Sequence, residues 1–220
     1  MKKNKYIAVF DIDDTVLRVN SSKIIALAAH RQGMMKTRDL LNGILHIFFY
    51  KYNLRDPMKI IDNMGEWVKG TEINRLKGLV DSIFESEIVK EIRPEIIKEI
   101  KYHKSNNAET VILSSALSQI CNPIASYLGF DHVLCSEIEE VDGILTGRPI
   151  GHFCFGNEKL NRLKEFCFTN GYQLEDSWYY ADSRDDFHVL EAVGYPVCVS
   201  PDRKLKKIAK ERNWPVNFWE

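Results

Sequence analysis

The chain has 220 residues, 45% of them hydrophobic and 28% charged, with a formal net charge of −1. This describes an ordinary soluble globule with ample core. The near-neutral balance removes any general electrostatic reason to expect nucleic acid. The densest basic run, Arg203-Lys204-Leu205-Lys206-Lys207, reads as the solvated face of a helix.

The basic start, Met1 to Lys5, leads into a short strand rather than a signal-peptide core. Tyr6-Ile7-Ala8-Val9-Phe10 is an apolar run bounded by polar residues and predicts a buried strand. It ends in Asp11-Ile12-Asp13-Asp14-Thr15. Asp11 and Asp13 lie two positions apart, so both can line the carboxyl edge of a sheet, where open α/β sheets bind their ligands. Clustered carboxylates repel unless a cation or a shared proton relieves them. Alone, the motif is equally a strand running into an acidic turn.

A long helical stretch follows. Ser21 or Ser22 caps a helix through Lys23–Ala29 that ends before Gly33. A second helix covers Asp39 to Tyr52, and a third starts at Asp56-Pro57. A fourth follows Thr71, with Ile73, Leu76, Leu79, Val80 and Ile83 at helical spacing. The most apolar run, Leu40 to Tyr50, falls well short of the roughly 20 residues of a membrane span. It reads as a buried helix or a pocket wall, so no stable membrane association is expected.

From Pro94 the pattern changes. A helix to about His103 precedes a strand over Glu109–Leu113, then a helix from Ser118 to Leu128 and a strand from His132 to Cys135. Asp142-Gly143, set between alternating residues, signals a hairpin within Ile138–Thr146. A helix over Glu158–Thr169, a strand at Trp178–Ala181, a helix from Asp185, a strand at Pro196–Val199 and a helix from Asp202 complete the chain. This alternation predicts an α/β fold: a Rossmann-like, mostly parallel sheet with helices on both faces. Residues 1–18 and 92–220 form the core, and residues 19–91 a helical cap inserted after the first strand. The five cysteines are odd in number and show no C-x-x-C spacing, which points to reduced thiols in the cytoplasm.

Several polar residues fall just after predicted strands or open a helix, and a parallel sheet brings them to the edge that carries Asp11. Ser114 and Ser115 follow the second strand, Lys159 opens a helix, and Asp182, Asp185 and Asp186 follow Tyr179-Tyr180-Ala181. Each has a bland reading as a turn residue, a solvated lysine or a helix cap. Together they make an anion site of carboxylates, a hydroxyl and an ammonium, with acids that can hold Mg²⁺ through oxygen.

At this point the chain resembles the haloacid dehalogenase superfamily, on the branch (subfamily IB) similar to phosphoserine phosphatase. Asp11–Thr15 matches the first motif, Ser114 the second, Lys159 the third, and Asp182 with Asp186 the fourth. The resemblance implies a Mg²⁺-dependent phosphomonoesterase acting through an aspartyl phosphate on a small phosphorylated metabolite. Asp11 is then the nucleophile and Asp13 the acid and base. Asp11, the main-chain carbonyl of Asp13, and Asp182 hold the metal. Thr15, Ser114 and backbone near Ser115 hold phosphate oxygens, while Lys159, steadied by Asp186, offsets their charge.

Two positions depart from the family pattern. Asn20 occupies the place of the glutamate that receives an ammonium in phosphoserine phosphatases. Ser114-Ser115-Ala116 replaces a serine-glycine-glycine run. These leave phosphoserine, histidinol phosphate, a phospho-base such as phosphocholine and a short lipid phosphate as candidate substrates. The cap aromatics Phe48, Phe49, Tyr50, Tyr52 and Trp67 favour an apolar or cationic part, and Arg55 is a weak candidate for a carboxylate. A phosphotransferase using the same aspartyl phosphate, and a non-catalytic phosphate sensor, stand as alternatives.

Overall fold

The structure, a computed structural model, describes residues 5–51 and 65–220. In chain order the elements are β1 (Ile7–Phe10), α1 (Ser21–Arg31), α2 (Thr37–Lys51), α3 (Ile73–Ile83), α4 (Pro94–Ser105), β2 (Glu109–Leu117), α5 (Ser118–Leu128), β3 (His132–Ser136), β4 (Ile138–Val141), β5 (Ile144–Pro149), α6 (Asn157–Asn170), β6 (Trp178–Ala181), α7 (Phe187–Ala192), β7 (Tyr195–Val199), α8 (Arg203–Arg212) and β8 (Val216–Asn217). They divide into two compact units. One comprises the segment ending at Asn20 with Glu91–Cys135 and Cys154–Glu220, the other Ser21–Lys90 with Ser136–Phe153.

The first unit is built on a six-stranded sheet of order β3-β2-β1-β6-β7-β8. β1 pairs in parallel with β2 (Phe10 opposite Ile112) and with β6 (Phe10 opposite Tyr180), and β6 pairs in parallel with β7. The carboxyl ends of these strands therefore share one edge. β2 continues past the predicted end at Leu113 to Leu117, because the backbone stays extended up to the start of α5, where Leu117 has ψ 150°. Side chains alternate across the sheet. Ile7, Val9, Leu113, Tyr179 and Ala181 join Leu163, Val189 and Leu205 in one core cluster. Neighbouring positions face the other way, and there Phe10 stacks on Tyr180 with ring centroids 4.5 Å apart.

In the second unit α1 buries Ile25, Ala28 and Ala29, and α3 buries Leu76, Leu79, Val80 and Ile83, the residues whose spacing predicts that helix. The β4–β5 hairpin turns on Asp142 and Gly143, both with positive φ, as its Asp-Gly signal predicts. It groups with this unit, whereas the sequence reading gave 92–220 to the core. The reason is hydrogen bonding to a distant segment. Gly70 N–H donates to Leu145 O, Leu145 N–H to Thr71 O and Ile73 N–H to Gly143 O, at 2.8–2.9 Å. Backbones also approach closely: a Cβ on Gly65 would stand 2.1 Å from the Gly147 carbonyl oxygen, so only glycine fits there.

α2 departs from the buried helix expected over Leu40–Tyr50, since Leu41 and Leu45 are 55% and 49% exposed. Tyr52, Arg55 and the helix start at Asp56-Pro57 lie outside the described residues. Among the described residues no helix is long and apolar enough to cross a membrane. The five cysteines are all buried and none is in a disulfide.

Candidate active site

The loop after β1 is fixed from several sides. Asp11 N–H donates to the Tyr180 carbonyl at 3.0 Å, extending the sheet pairing to the nucleophile candidate. Ile12–Val16 then forms one wide turn, closed by Leu17 N–H to Ile12 O at 2.9 Å. Within it Asp14 is left-handed, at φ 57° and ψ 0°, a conformation aspartate tolerates better than most residues. Its carbonyl accepts from Arg93 Nη2 at 3.3 Å, while Arg93 Nη1 donates to Trp219 O at 2.6 Å. Thr15, fully buried, points its Oγ1 to Asp182 Oδ1 at 3.4 Å.

Lys159 reaches the same edge from the first turn of α6, entered through Gly156 at φ +55°. Its Nζ donates to Asp11 Oδ1 at 2.8 Å and to Asp186 Oδ1 at 2.7 Å, and lies 3.5 Å from the Tyr179 hydroxyl. All three charged side chains are buried, at 3–5% exposure. Burial opposes the ammonium, yet the carboxylates of Asp11 and Asp186 hold Lys159 well above the usual lysine range. Burial pushes Asp11 up to about 7, with Lys159 pulling it down and Asp186 and Asp13 adding to the rise. Asp182 goes to about 9, driven by burial and then by Asp11, Asp186 and Asp14.

The loop bearing Asp182 is secured by Asp202. Its N–H donates to Asp182 O at 2.8 Å, its Oδ2 accepts from Arg184 N–H at 3.2 Å, and its Oδ1 caps α8 through Leu205 N–H at 2.7 Å.

The sheet edge thus brings together Asp11, Thr15, Lys159, Asp182 and Asp186. Ser114 is buried within β2, three residues before its end, and accepts from Ala116 N–H at 3.2 Å, and Ser115 beside it is half-buried. Asp13 is half-buried in the wide turn. Asn20 lies just beyond Val19, whose carbonyl accepts from Asp14 N–H at 3.4 Å. Its own Oδ1 is buried with no hydrogen-bond partner among the described residues.

Sequence reasoning missed Tyr179, whose hydroxyl donates to Asp186 Oδ1 at 2.6 Å, and Arg93. The one signal for Tyr179 is a polar-tipped aromatic within a buried strand, and nothing in the local sequence around Arg93 marks it. Gln119 was also missed. Its Oε1 is buried without a partner among the described residues, at the start of α5.

The carboxylates suit a hard cation. Ligand atoms of Asp11, Asp182 and Asp186 lie within 4.8 Å of one another, and the Lys159 ammonium is bonded to two of these acids. Burial is the main cause of the raised acids at Asp11 and Asp182, and the neighbouring carboxylates add to it, a crowding that a cation would relieve. Because Asp186 Oδ1 already takes Lys159 and Tyr179, Asp11 and Asp182 are the acids better placed to ligate. An all-oxygen set of this kind fits Mg²⁺.

A parallel α/β sheet with buried carboxylates and a lysine gathered at its carboxyl edge defines the frame of a phosphate-handling enzyme. Residues 8–191 match the haloacid dehalogenase-like hydrolase family, and the chain belongs to it. It is 28% identical to a probable phosphatase of Mycobacterium tuberculosis over 95% of this chain and 74% of that one. It is 27% identical to a histidinol-phosphatase of Neisseria meningitidis over 97% of this chain and 99% of that one. A protein of unknown function from Bordetella pertussis shares the fold with a TM-score of 0.87, at 23% identity, covering 98% of this chain and 99% of that one. Phosphoserine phosphatases also have this fold.

Proposed function

We propose that this chain, a phosphatase of the haloacid dehalogenase-like family, hydrolyses a small phosphomonoester through an aspartyl phosphate with the help of Mg²⁺. The observation that carries the reading is the buried contact of Lys159 with both Asp11 and Asp186 at the sheet edge where Asp182 also converges. With a bound cation adding to the charge of Lys159, such a site would accept an anion and leave a carboxylate oxygen to attack it.

Asp11 attacks phosphorus in line, forming its own P–O bond as the ester P–O bond breaks. Asp13 gives its proton to the departing alkoxide, then takes one from the water that cleaves the acyl phosphate and regenerates Asp11. Thr15, Ser114 and backbone N–H groups near Ser115 hold the phosphoryl oxygens, and Lys159 meets the charge that gathers on them. Asp11, the Asp13 carbonyl and Asp182 would hold Mg²⁺, which supplies counter-charge between the nucleophile and the phosphate. Asn20, with its unpartnered carbonyl oxygen, receives a hydrogen-bond donor of the leaving group. A hydroxyl, an ammonium N–H or an imidazole N–H suits it, which agrees with substrates such as phosphoserine or histidinol phosphate, whereas the quaternary ammonium of phosphocholine has no N–H to donate.

The test is phosphate release from a panel of such esters, with Mg²⁺ and with EDTA, using Asp11→Asn as the blank. Turnover that needs metal and vanishes in Asp11→Asn is expected. A folded, Mg²⁺-binding protein that releases no phosphate from any ester would overturn the reading.

A further inference from the structure

A hydroxyl in the apolar interior needs a partner. Tyr179 is fully buried in β6, on the sheet face shared with Val9, Leu113, Cys154 and Leu163. Phenylalanine would fill the same space. What the hydroxyl adds is a link to two charged groups, donating to Asp186 Oδ1 at 2.6 Å and lying 3.5 Å from Lys159 Nζ.

An ammonium carries three donors. Those of Lys159 have three oxygens to meet, Asp186 Oδ1 at 2.7 Å, Asp11 Oδ1 at 2.8 Å and Tyr179 OH at 3.5 Å. The longest contact is the weakest and is surrendered at least cost to an approaching phosphoryl oxygen. At the same time the Tyr179 proton takes up part of the charge on Asp186 Oδ1, the atom Lys159 also contacts. Without it Asp186 would draw the ammonium more strongly to itself.

We infer that Tyr179 is a positioning residue for Lys159. It shares Asp186 with the ammonium and keeps the third N–H on a weak contact that gives way to the phosphoryl oxygen as charge develops there. This rests on the reading of Lys159 as the group that meets the transferring phosphoryl.

The test uses the full chain with Mg²⁺ and p-nitrophenyl phosphate. Tyr179→Phe should lower kcat about tenfold while KM moves less than about twofold. Affinity for metavanadate, which adopts the five-coordinate geometry of the transferring phosphorus, should fall by the same factor, and affinity for inorganic phosphate should hold. Replacing Tyr179 with 4-fluorophenylalanine fills the space of the hydroxyl without donating, and should match Tyr179→Phe. Unchanged kcat and vanadate affinity would overturn the inference, as would a loss confined to KM. Failure of both variants to fold would make Tyr179 a core residue and overturn it too. Lys159→Gln, measured alongside, separates the two claims. If it keeps full turnover, the reading of the site fails. If it is inactive while Tyr179→Phe equals the parent, only the role of Tyr179 fails.

Discussion

Lys159 governs how the acids around it can act. Its contact with Asp11 opposes the burial that pushes that carboxyl up, and its contact with Asp186 supplies counter-charge to the neighbouring acid that adds to the rise. For specificity the proposed determinant is a different residue. Asn20 offers a carbonyl oxygen with no donor among the described residues, and an amide accepts from an ammonium less strongly than a carboxylate does. Asn20→Asp should therefore favour substrates bearing an ammonium group. We expect kcat/KM for phosphoserine, relative to glycerol phosphate, to rise about tenfold, the gain of a charge-assisted hydrogen bond. An unchanged ratio in a folded variant would show that Asn20 does not meet the leaving group.

At the level of elements, the chain leaves and re-enters the first unit through two segments tied to each other. Leu17 pairs with Ile92, Arg18 N–H donates to Glu91 O at 2.8 Å and Arg93 N–H to Val16 O at 3.0 Å. Pro94 opens α4, and the Arg93 side chain, only 8% exposed, joins the Asp14 carbonyl to that of Trp219. Arg93→Met keeps the backbone pairing but removes both charged bonds. It should cost about 2 kcal/mol, a melting temperature roughly 4–8 °C lower, and should reduce kcat by loosening the turn that carries Asp13. Calorimetry with parallel rate measurements checks both, and an unchanged melting temperature would sink the idea.

Arg93 also marks where the sequence stopped being informative. Strands were legible because β-favouring runs alternate with helical periodicity. The convergence of Lys159 and Asp182 on the sheet edge was legible because one opens a helix and the other follows a strand. Arg93, Tyr179 and the pairing of β5 with residues 70–73 were not. Arg93 and β5 depend on partners remote in sequence, and Tyr179 meets Asp186 only through the loop that follows its strand, for which no local pattern exists.

Across the whole first unit, the sheet face opposite Tyr179 is held by a histidine. His103, fully buried on α4, contacts the Tyr6 hydroxyl through Nδ1 at 3.1 Å and the Tyr180 hydroxyl through Nε2 at 2.8 Å. Tyr180 in turn donates to Glu99 at 3.0 Å, and Phe10, Tyr102 and Trp178 pack their rings around the imidazole. Burial pushes its pKa down to about 4 from an ordinary value of 6.5. Between those values the unfolded chain binds a proton that the folded chain refuses, so acid favours unfolding. Stability linked to His103 is complete above pH 6.5 and is lost as pH falls towards 4, by about 3 kcal/mol in all. Asp11 and Asp182 act in the opposite sense, because their raised folded values make the metal-free protein less stable as pH rises past about 4. Comparing the parent with His103→Gln isolates the histidine from them. Urea unfolding of both in EDTA, from pH 7.5 to 4, should show the parent losing about 3 kcal/mol more than the variant. Parallel curves would mean that His103 is protonated as readily in the folded state as in the unfolded one, and that acid sensitivity arises elsewhere.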